Sequence, residues 1–197
     1  MSASDQDPQV DVAFKKELVG LIPHLRAFAR TLCGDPTAAD DLAQDAMMKA
    51  WDARASFQMG TNMKAWTFMI LRNQFYSEKR RSWRQSQLDQ EAAERTLVAV
   101  DDPEAPIALD ELRMALRSLP DEQREALVLV GAGGFAYEEA ADICNCAVGT
   151  VKSRVSRARR ALQAALEGGD YERDGAPAGE AMSSILADAE RLSGGPR

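Results

Sequence analysis

Residues 137–166, YEEAADICNCAVGTVKSRVSRARRALQAAL, decide the fold of this chain. Two segments with helical spacing, Tyr137–Cys144 and Val148 to about Leu166, are separated by only a few residues, which predicts a helix-turn-helix. The second segment carries one apolar stripe, whose residues lie four, three and four positions apart: Val151, Val155, Ala158 and Leu162. Because alternation at period two is nearly absent elsewhere, we expect an all-α fold.

The face of the second segment opposite this stripe is polar and basic. At about 100° per residue, this face presents Ser153, Ser156, Arg157 and Arg160, with Lys152 and Arg159 on one flank. No acidic residue lies in this face, so the helix suits a major groove, where arginine pairs with guanine. Arg154 lies nearer the stripe, and we expect it to contact a phosphate or to have a structural role. The alternative is a basic solvated face on an ordinary helical hairpin, but spacing and charge favour DNA binding.

The formal net charge of −7 conceals two basic segments. Residues 62–84 carry six basic residues and one acid, a balance of +5, and residues 149–160 carry five basic residues and no acid. Residues 85–106 instead hold six acids and one arginine, a balance of −5. Two basic surfaces separated by an acidic connecting segment predict a protein that binds a polyanion at two places.

Breaks in the helical spacing divide the chain into two small helical domains. In the first, a helical segment runs from Val12 to Cys33, where Pro23 bends or splits it, and Asp35 caps the next helix. The predicted organisation is a disordered N-terminus (1–11), a first domain (12–84), a flexible acidic linker (85–106), a second domain (107–167) and a mobile tail (168–197). Residues 182–192 of the tail have the spacing of a short amphipathic helix.

Composition excludes several classes of protein and of site. Nothing approaches a run of 18 apolar residues, and the acidic N-terminus is unlike a signal peptide, so we expect a cytoplasmic protein that does not enter the membrane. Cys33, Cys144, Cys146 and the single histidine, His24, are too few and too scattered for a zinc site. We therefore interpret the cysteines as half-buried thiols and expect no metal or cofactor.

The segment from Met63 to Trp83 is predicted as a helix and has two interpretations. Apolar or aromatic residues occupy nearly every side of it, and Asn73 falls on a face with Trp66 and Ile70. By itself this pattern favours a central helix buried on both sides. The alternative is a surface that separates DNA strands, because basic residues that bind phosphates alternate with aromatic residues that stack on unpaired bases: Tyr76, Lys79, Arg80, Arg81, Trp83 and Arg84.

A group of polar and acidic residues begins the second predicted helix: Asp40, Asp41, Gln44 and Asp45. This group forms either a solvated acidic face near a helix N-terminus or a docking patch for a basic partner, and the sequence does not separate the two. Acid–base catalysis is a remote third interpretation, because no nucleophile, metal cluster or phosphate-binding loop accompanies the carboxylates. We therefore do not expect an enzyme.

Together these segments resemble the extracytoplasmic-function (ECF) sigma factors. Domain 2 of that family is similar in Asp40-Asp41-Leu42-x-Gln44-Asp45, Lys64-Ala65-Trp66 and Ile70-Leu71-Arg72-Asn73. Domain 4 is similar in Leu119-Pro120-x-x-Gln123-Arg124-Glu125 and Val148-Gly149-Thr150-Val151-Lys152-Ser153-Arg154. The motifs keep the family's order and spacing from about Phe14 to Leu166. More specific motifs, such as Phe68-Met69-Ile70-Leu71-Arg72-Asn73, resemble those of the alphaproteobacterial general-stress-response (EcfG-like) group.

The resemblance implies a sigma factor that binds core RNA polymerase and promoter DNA. Contacts to the clamp helices of the largest polymerase subunit would come from Asp40, Asp41, Gln44 and Asp45. The −10 element would be bound by Phe57, Asn62, Asn73, Tyr76, Lys79, Arg80, Arg81 and Arg84. The −35 element would be read by Lys152, Ser153, Arg154, Ser156, Arg157 and Arg160. A small helical anti-sigma factor would hold the chain inactive.

One departure from the family and two alternatives accompany this prediction. Ala136 stands where the family often has a serine or threonine cap, a loss of about 1 kcal/mol, so we expect the first helix of the helix-turn-helix to fray. One alternative is a sigma-like adaptor that sequesters an anti-sigma factor without recognising a promoter. It predicts a receiver domain and an eroded recognition helix, but the sequence has no βα alternation and the helix keeps its arginines. A stand-alone helix-turn-helix regulator leaves the aromatic basic helix and the acidic group unexplained.

Overall fold

The computed structural model describes residues 8–88 and 107–167, and the chain divides into two compact units between Val98 and Ala99. Every regular element in the two described ranges is a helix, which confirms the predicted all-α fold. None of the helices in these ranges is both long and apolar enough to cross a membrane. Most of the predicted linker and the whole predicted tail, with its short helix, lie outside the described residues.

The described part of the first unit contains four α-helices and one 3₁₀ turn. They are α1 (Pro8–Gly20), α2 (Ile22–Cys33), α3 (Pro36–Asp52), the 3₁₀ turn Arg54–Ser56, and α4 (Met63–Leu88). The described part of the second unit contains α5 (Ile107–Ser118), α6 (Asp121–Gly131), α7 (Tyr137–Cys144) and α8 (Val148–Glu167). The two helices of the second half, α7 and α8, begin at the residues that the sequence predicts.

The first helix begins earlier than the sequence predicts. Residues 8–11, which the sequence predicts as part of a disordered N-terminus, form the first turn of α1. Proline is tolerated at the first helical position, because its missing N–H has no partner within the helix there. Asp11 accepts a hydrogen bond from Arg54 Nε at 3.1 Å, and Phe14 is buried one turn later. These tertiary contacts anchor a segment whose polar composition gave no sign of order.

Two turns separate the first three helices as their sequences predict. Pro23 lies in the first turn of α2, so the chain breaks at Leu21 between α1 and α2. After α2, Gly34 adopts a φ of 74°, a left-handed conformation that glycine adopts without a steric penalty. Asp35 Oδ1 then accepts a hydrogen bond from Ala38 N at 2.7 Å and caps α3.

Aromatic rings connect the helices of the first unit. Phe28 of α2 stacks on Phe68 of α4, with ring centroids 4.8 Å apart. A second cluster, which we call the aromatic cluster, joins α1 to α3 and α4; its buried residues are Phe14, Leu18, Ala50 and Met63, and Trp51, Phe57 and Trp66 pack against them. Each favourable ring pair adds about 0.5–1.5 kcal/mol beyond the burial of its area. Helix α4 is therefore packed on more than one side.

Helix α4 continues to Leu88, five residues beyond its predicted end at Trp83. The last four residues of α4 fall in the predicted acidic linker, whose first half the sequence allows to be helical. Residues 85–88, Gln-Ser-Gln-Leu, contain neither proline nor glycine. These residues therefore contain no signal that ends a helix, although they belong to the acidic segment of residues 85–106.

In the second unit, α8 packs against α5, α6 and α7. Arg124 closes the turn between α5 and α6, since its Nη1 donates to the Leu119 carbonyl at 3.1 Å and its Nη2 to Asp121 Oδ1 at 2.7 Å. The next turn requires Gly133, because a Cβ at this position would lie 2.6 Å from the carbonyl oxygen of Leu129. These two turns set the direction in which α7 and α8 leave α6.

Candidate nucleic-acid interface

Helices α7 and α8 form a helix-turn-helix with Asn145 in the turn, at a φ of 49°. The Cys146 N–H donates to the Ala141 carbonyl at 3.0 Å and closes this turn. Four residues of α8 face inward and are at most 6% exposed: Val151, Val155, Ala158 and Leu162. The structure thus confirms the predicted apolar stripe, and burial of the stripe fixes which face of α8 is outward.

Five of the six residues predicted to read the −35 element are exposed on that outward face: Lys152, Ser153, Ser156, Arg157 and Arg160. The Arg157 guanidinium is held along the helix by Ser153, whose carbonyl accepts Nε at 3.2 Å and whose hydroxyl accepts Nη2 at 3.1 Å. Lys152 Nζ lies 5.6 Å from the centre of the Tyr137 ring of α7. This face, which we call the recognition face, offers cationic and hydroxyl donors that suit base edges and phosphates in a major groove.

Arg154 is the sixth of these residues, and it is bound to the body of the unit. Its side chain is 15% exposed, and its Nη2 donates to Glu122 Oε2 of α6 at 2.6 Å. Its Nη1 lies 3.7 Å from the sulfur of Cys146 in the turn. Arg154 therefore ties α8 to α6 and to the turn, which is the structural one of the two roles that its position near the stripe suggests, the other being contact with a phosphate.

Helix α7 begins at Tyr137 although Ala136 offers no side-chain cap. Glu139 supplies half of a capping box, since its Oε2 accepts the Ala136 N–H at 2.9 Å. The other half is missing, because a methyl group accepts no hydrogen bond from the backbone N–H of Glu139. The cost of the missing half stays a prediction.

The loop before α4, residues 57–62, holds two residues predicted to bind the −10 element. Phe57 is half-buried, with its ring centre 5.7 Å from that of Phe14 and 5.0 Å from that of Trp66. Asn62 is exposed, and its Oδ1 accepts the Ala65 N–H at 3.0 Å, so that it caps α4. Phe57 thus fixes one end of the loop in the aromatic cluster, and Asn62 fixes the other end to α4.

The sequence places Asn73 on the same face of α4 as Trp66 and Ile70, and the structure shows how far this residue is from the core. Asn73 is exposed, whereas the next residue, Gln74, is 4% exposed. Gln74 Nε2 donates to Asp45 Oδ2 of α3 at 2.9 Å and to Glu78 Oε1 at 3.0 Å. Since α3 supplies a carboxylate on this side of α4, the amide of Gln74 is buried at a lower cost and Asn73 is turned outward.

The C-terminal part of α4 combines aromatic rings with positive charge, as predicted. The Arg72 guanidinium lies 4.6 Å from the centre of the Tyr76 ring, and Lys79 Nζ lies 5.9 Å from that of Phe75. Five large side chains of this part are exposed: Lys79, Arg80, Arg81, Trp83 and Arg84. Together with Tyr76 they form the basic end of α4, which presents cations for phosphates and ring faces for unpaired bases.

The residues predicted to contact polymerase lie on two sides of α3: Asp40, Asp41, Gln44 and Asp45. On one side, Asp40 Oδ1 lies 3.5 Å from Arg26 Nε of α2, and Asp40 and Gln44 line a groove between α1, α2 and α3. On the other side, Asp45 accepts the hydrogen bond from Gln74, and Asp41 is exposed. Asp41, Gln44 and Asp45 are nevertheless exposed and the Asp40 side chain is 42% exposed, so the whole predicted patch reaches solvent.

The groove beside Asp40 and Gln44 is a feature that sequence reasoning missed. It has a volume of about 440 Å³, and two of the apolar residues along it, Val19 and Met48, are 49% and 58% exposed. The sequence does contain a signal for this groove, because Val19 of α1 and Met48 of α3 are apolar but fall outside the buried face of their helices. Exposed apolar side chains along a groove are typical of a protein-binding surface.

Three cysteines lie in the described parts of the chain. Cys33, Cys144 and Cys146 form no disulfide, and no three ligating side chains meet in a metal-binding group within residues 8–88 and 107–167. Burial, with Glu78 and Asp35 nearby, raises the pKa of the Cys33 thiol to about 11. Cys33 is therefore protonated and a poor nucleophile at neutral pH.

Two family models match the chain in the regions that carry these surfaces. The model of sigma-70 region 2 matches residues 20–85, and the model of sigma-70 region 4 matches residues 109–162. The first match includes α3 and the basic end of α4. The second includes the helix-turn-helix and its recognition face.

Individual relatives agree with the family matches. The chain is 46% identical over 154 residues to the ECF RNA polymerase sigma factor EcfG of Rhodopseudomonas palustris, which covers 78% of this chain and 85% of the relative. It is 34% identical over 135 residues to the ECF RNA polymerase sigma-E factor of Escherichia coli, covering 62% and 70%.

A solved structure extends the agreement to three dimensions. The sigma factor RpoE of Bartonella quintana, in complex with the anti-sigma factor NepR, superposes on this chain with a TM-score of 0.71 at 47% identity. The match covers 79% of this chain and 97% of that one. The chain therefore belongs to the sigma-70 family, among the EcfG-like ECF sigma factors, which bind core RNA polymerase and direct promoter-specific transcription initiation.

Proposed function

We propose that this sigma factor recognises the −35 element with its second unit and the −10 element with its first. It would act in the cytoplasm on general-stress genes, under the control of an anti-sigma factor. The observation that carries the proposal is the recognition face of α8, where five donor side chains are exposed. A helix with such a face reads sequence only when it lies in a major groove.

The −35 element is bound by the recognition face and not by Arg154. Arg157 and Arg160 supply guanidinium groups for guanine edges or phosphates, while Ser153 and Ser156 supply short hydroxyl donors. Lys152 lies toward α7 and is placed for a phosphate. Arg154 is held by Glu122 and keeps α8 at a fixed angle to α6.

The −10 element is bound by the basic end of α4 together with the loop of residues 57–62. The exposed cations of α4 hold the phosphates, and its aromatic rings offer faces on which unpaired bases stack. Asn73, turned outward on the same helix, and the loop contribute polar groups for a base that has left the duplex. Phe57 supports the loop from inside the aromatic cluster, so we assign it a structural part in this site.

Core polymerase docks on α3. Asp41, Gln44 and Asp45 are exposed, and of these Asp41 and Gln44 have the freer side chains for a basic partner, since Asp45 also accepts a hydrogen bond from Gln74. Asp40 and Asp45 are bound to Arg26 and to Gln74, and we expect them to orient the surface more than to contact the polymerase. Carboxylates beside an apolar groove suit a partner whose surface is both basic and apolar.

An anti-sigma factor is the expected regulator. The relative from Bartonella quintana is bound to the anti-sigma factor NepR, and 97% of that chain is covered at 47% identity. We expect a small helical inhibitor of the same kind to bind this chain. The sigma-like adaptor is less well supported, because an adaptor that never binds a promoter has no need for the exposed arginines of α8.

The test is transcription from purified components. The full chain and core polymerase are mixed with a stress promoter, and open-complex transcription is measured beside templates in which either element is scrambled. We expect a transcript that requires both elements. Asp41→Lys is expected to weaken the association with core polymerase while binding of an isolated −35 duplex is retained. Absence of a transcript, with tight binding to an anti-sigma factor, would favour the adaptor.

A further inference from the structure

Arg54 connects three parts of the first unit next to the loop of residues 57–62. It lies in the 3₁₀ turn between α3 and the loop. Its Nε donates to Asp11 Oδ1 of α1 at 3.1 Å, and its Nη1 donates to the Trp51 carbonyl at the end of α3 at 3.0 Å. The guanidinium also lies 4.6 Å from the centre of the Trp51 ring. One side chain therefore fixes α1 to the segment from which the loop departs.

A second contact joins α1 to the loop itself. Phe57, the first residue of the loop, meets Phe14 of α1 edge to face at 5.7 Å. Asp11 and Phe14 are three residues apart and so lie on one side of α1. The inner side of α1 thus holds the loop at two neighbouring points, one polar and one aromatic.

The polar contact is partly open to water. The side chains of Arg54 and Asp11 are 27% and 31% exposed, so solvent screens part of their attraction. Such a pair adds little to the stability of the whole unit. Its main effect is to orient the 3₁₀ turn, because the planar guanidinium contacts a carboxylate, a carbonyl and a ring face at the same time.

We propose that Arg54 and Asp11 are positioning residues for promoter recognition: through this pair, α1 sets the conformation of the 57–62 loop and hence its discrimination between bases of the −10 element. Neither residue contacts DNA in this proposal. It rests on the proposed role of the loop at the −10 element. It adds that α1, through its contact with the 3₁₀ turn, determines how well that loop discriminates between bases.

The experiment measures base discrimination with the full chain and core polymerase. A promoter fragment is first obtained by selecting transcribed templates from a pool randomised at both elements, and each −10 base is then substituted in turn. For every template the rate of open-complex formation is measured, and discrimination is the ratio of the rates on the selected and the substituted templates. Arg54→Gln, Asp11→Asn and the double variant are compared with Glu17→Gln, an exposed acid of α1.

We expect each single variant to lower discrimination at one or more −10 bases about three- to tenfold, because a charge-assisted contact and a cation–π contact are lost. The double variant is expected to be no worse than Arg54→Gln, since both changes remove the same pair. Thermal unfolding, core-polymerase binding and binding to a −35 duplex are expected to match those of Glu17→Gln. A purely structural role would lower all templates in proportion and leave the ratio unchanged.

Each remaining outcome overturns a specific claim. Unchanged discrimination in both single variants, or additive losses in the double variant, overturns the positioning proposal. If Arg54→Gln unfolds, Asp11→Asn decides the question, because its side chain is smaller and partly exposed. If the unmodified chain does not discriminate between −10 bases, the proposed function of the loop is wrong. If the unmodified chain discriminates and the variants discriminate equally well, only the positioning proposal is wrong.

Discussion

Helices α8 and α4 both carry residues predicted to bind DNA, but their apolar residues are arranged differently. Helix α8 has one apolar stripe, and the residues opposite the stripe are the ones exposed. Helix α4 has apolar residues on nearly every side, packs against α2 and α3, and buries the polar residue Gln74 instead of its neighbour Asn73. Spacing therefore assigned the outward face of α8 correctly and that of α4 only in part.

The difference lies in how the neighbouring helices are arranged around each helix. Helix α8 has several neighbours, α5, α6 and α7, but its buried residues all lie in one stripe, and the sequence period gives the direction of that stripe. A helix with neighbours on more than one side buries residues in several directions, and the partners on those neighbours then decide which polar side chains are satisfied inside. On α4 this decision depends on Asp45, a residue of a different helix.

The largest expected effect is the loss of stability caused by a charge in the apolar stripe of α8. Val155 is 1% exposed, so Val155→Asp places an unpaired charge in the core and should cost the second unit about 3–5 kcal/mol of unfolding free energy. The next residue, Ser156, is exposed, and Ser156→Asp should cost less than about 0.5 kcal/mol. Urea unfolding followed by circular dichroism measures both. Similar losses for the two variants would contradict the stripe as the division between buried and exposed faces.

The next effect separates two arginines of α8. Arg157→Ala should weaken binding to the −35 element by about 1–3 kcal/mol and relax specificity at one base pair. Arg154→Ala should instead lower thermal stability and weaken binding to specific and scrambled duplexes by the same factor, because its contact with Glu122 is internal. Fluorescence anisotropy with both duplexes measures the two ratios. An equal loss on scrambled DNA for Arg157→Ala would show that Arg157 contacts only phosphate.

The comparison on α4 is sharpened by two neighbouring polar residues. Gln74→Ala removes the donor shared by Asp45 and Glu78 and should cost about 1–2 kcal/mol of unfolding free energy. Asn73→Ala should change stability by less than about 0.5 kcal/mol, because Asn73 is exposed. It should nevertheless slow open-complex formation on the full promoter. A larger stability loss for Asn73→Ala than for Gln74→Ala would contradict the exposure of Asn73 and the burial of Gln74.

The smallest effect concerns the first helix of the helix-turn-helix. Ala136 already has the extended backbone of an N-cap residue, with φ of −61° and ψ of 157°. Ala136→Ser should complete the capping box with Glu139 and stabilise the second unit by about 0.5–1 kcal/mol. Ala132→Ser, at an exposed position outside any N-cap, is the matched control. A gain no larger than that of the control would mean that Glu139 alone is a sufficient cap.

Several elements were predicted from short stretches of sequence. The bounds of α7, the start of α8, the break before Pro23 and the cap at Asp35 all agree with the structure. Each depends on residues within a few positions of one another, such as a proline, a glycine, a capping carboxylate or a repeated apolar residue. The recognition face follows from the same local information, because the stripe that defines it lies within one helix.

The tertiary structure adds the contacts between residues that lie far apart in the chain. The helical start at Pro8 and the anchored loop depend on the pair of Asp11 and Arg54, which are 43 residues apart. The buried amide of α4 depends on Asp45, 29 residues away, and the inward position of Arg154 on Glu122, 32 residues away. The sequence alone was enough to predict two helical domains, their charge and the outward face of α8. It did not determine these pairs, because periodicity gives the face of a helix but not which helix will lie against it.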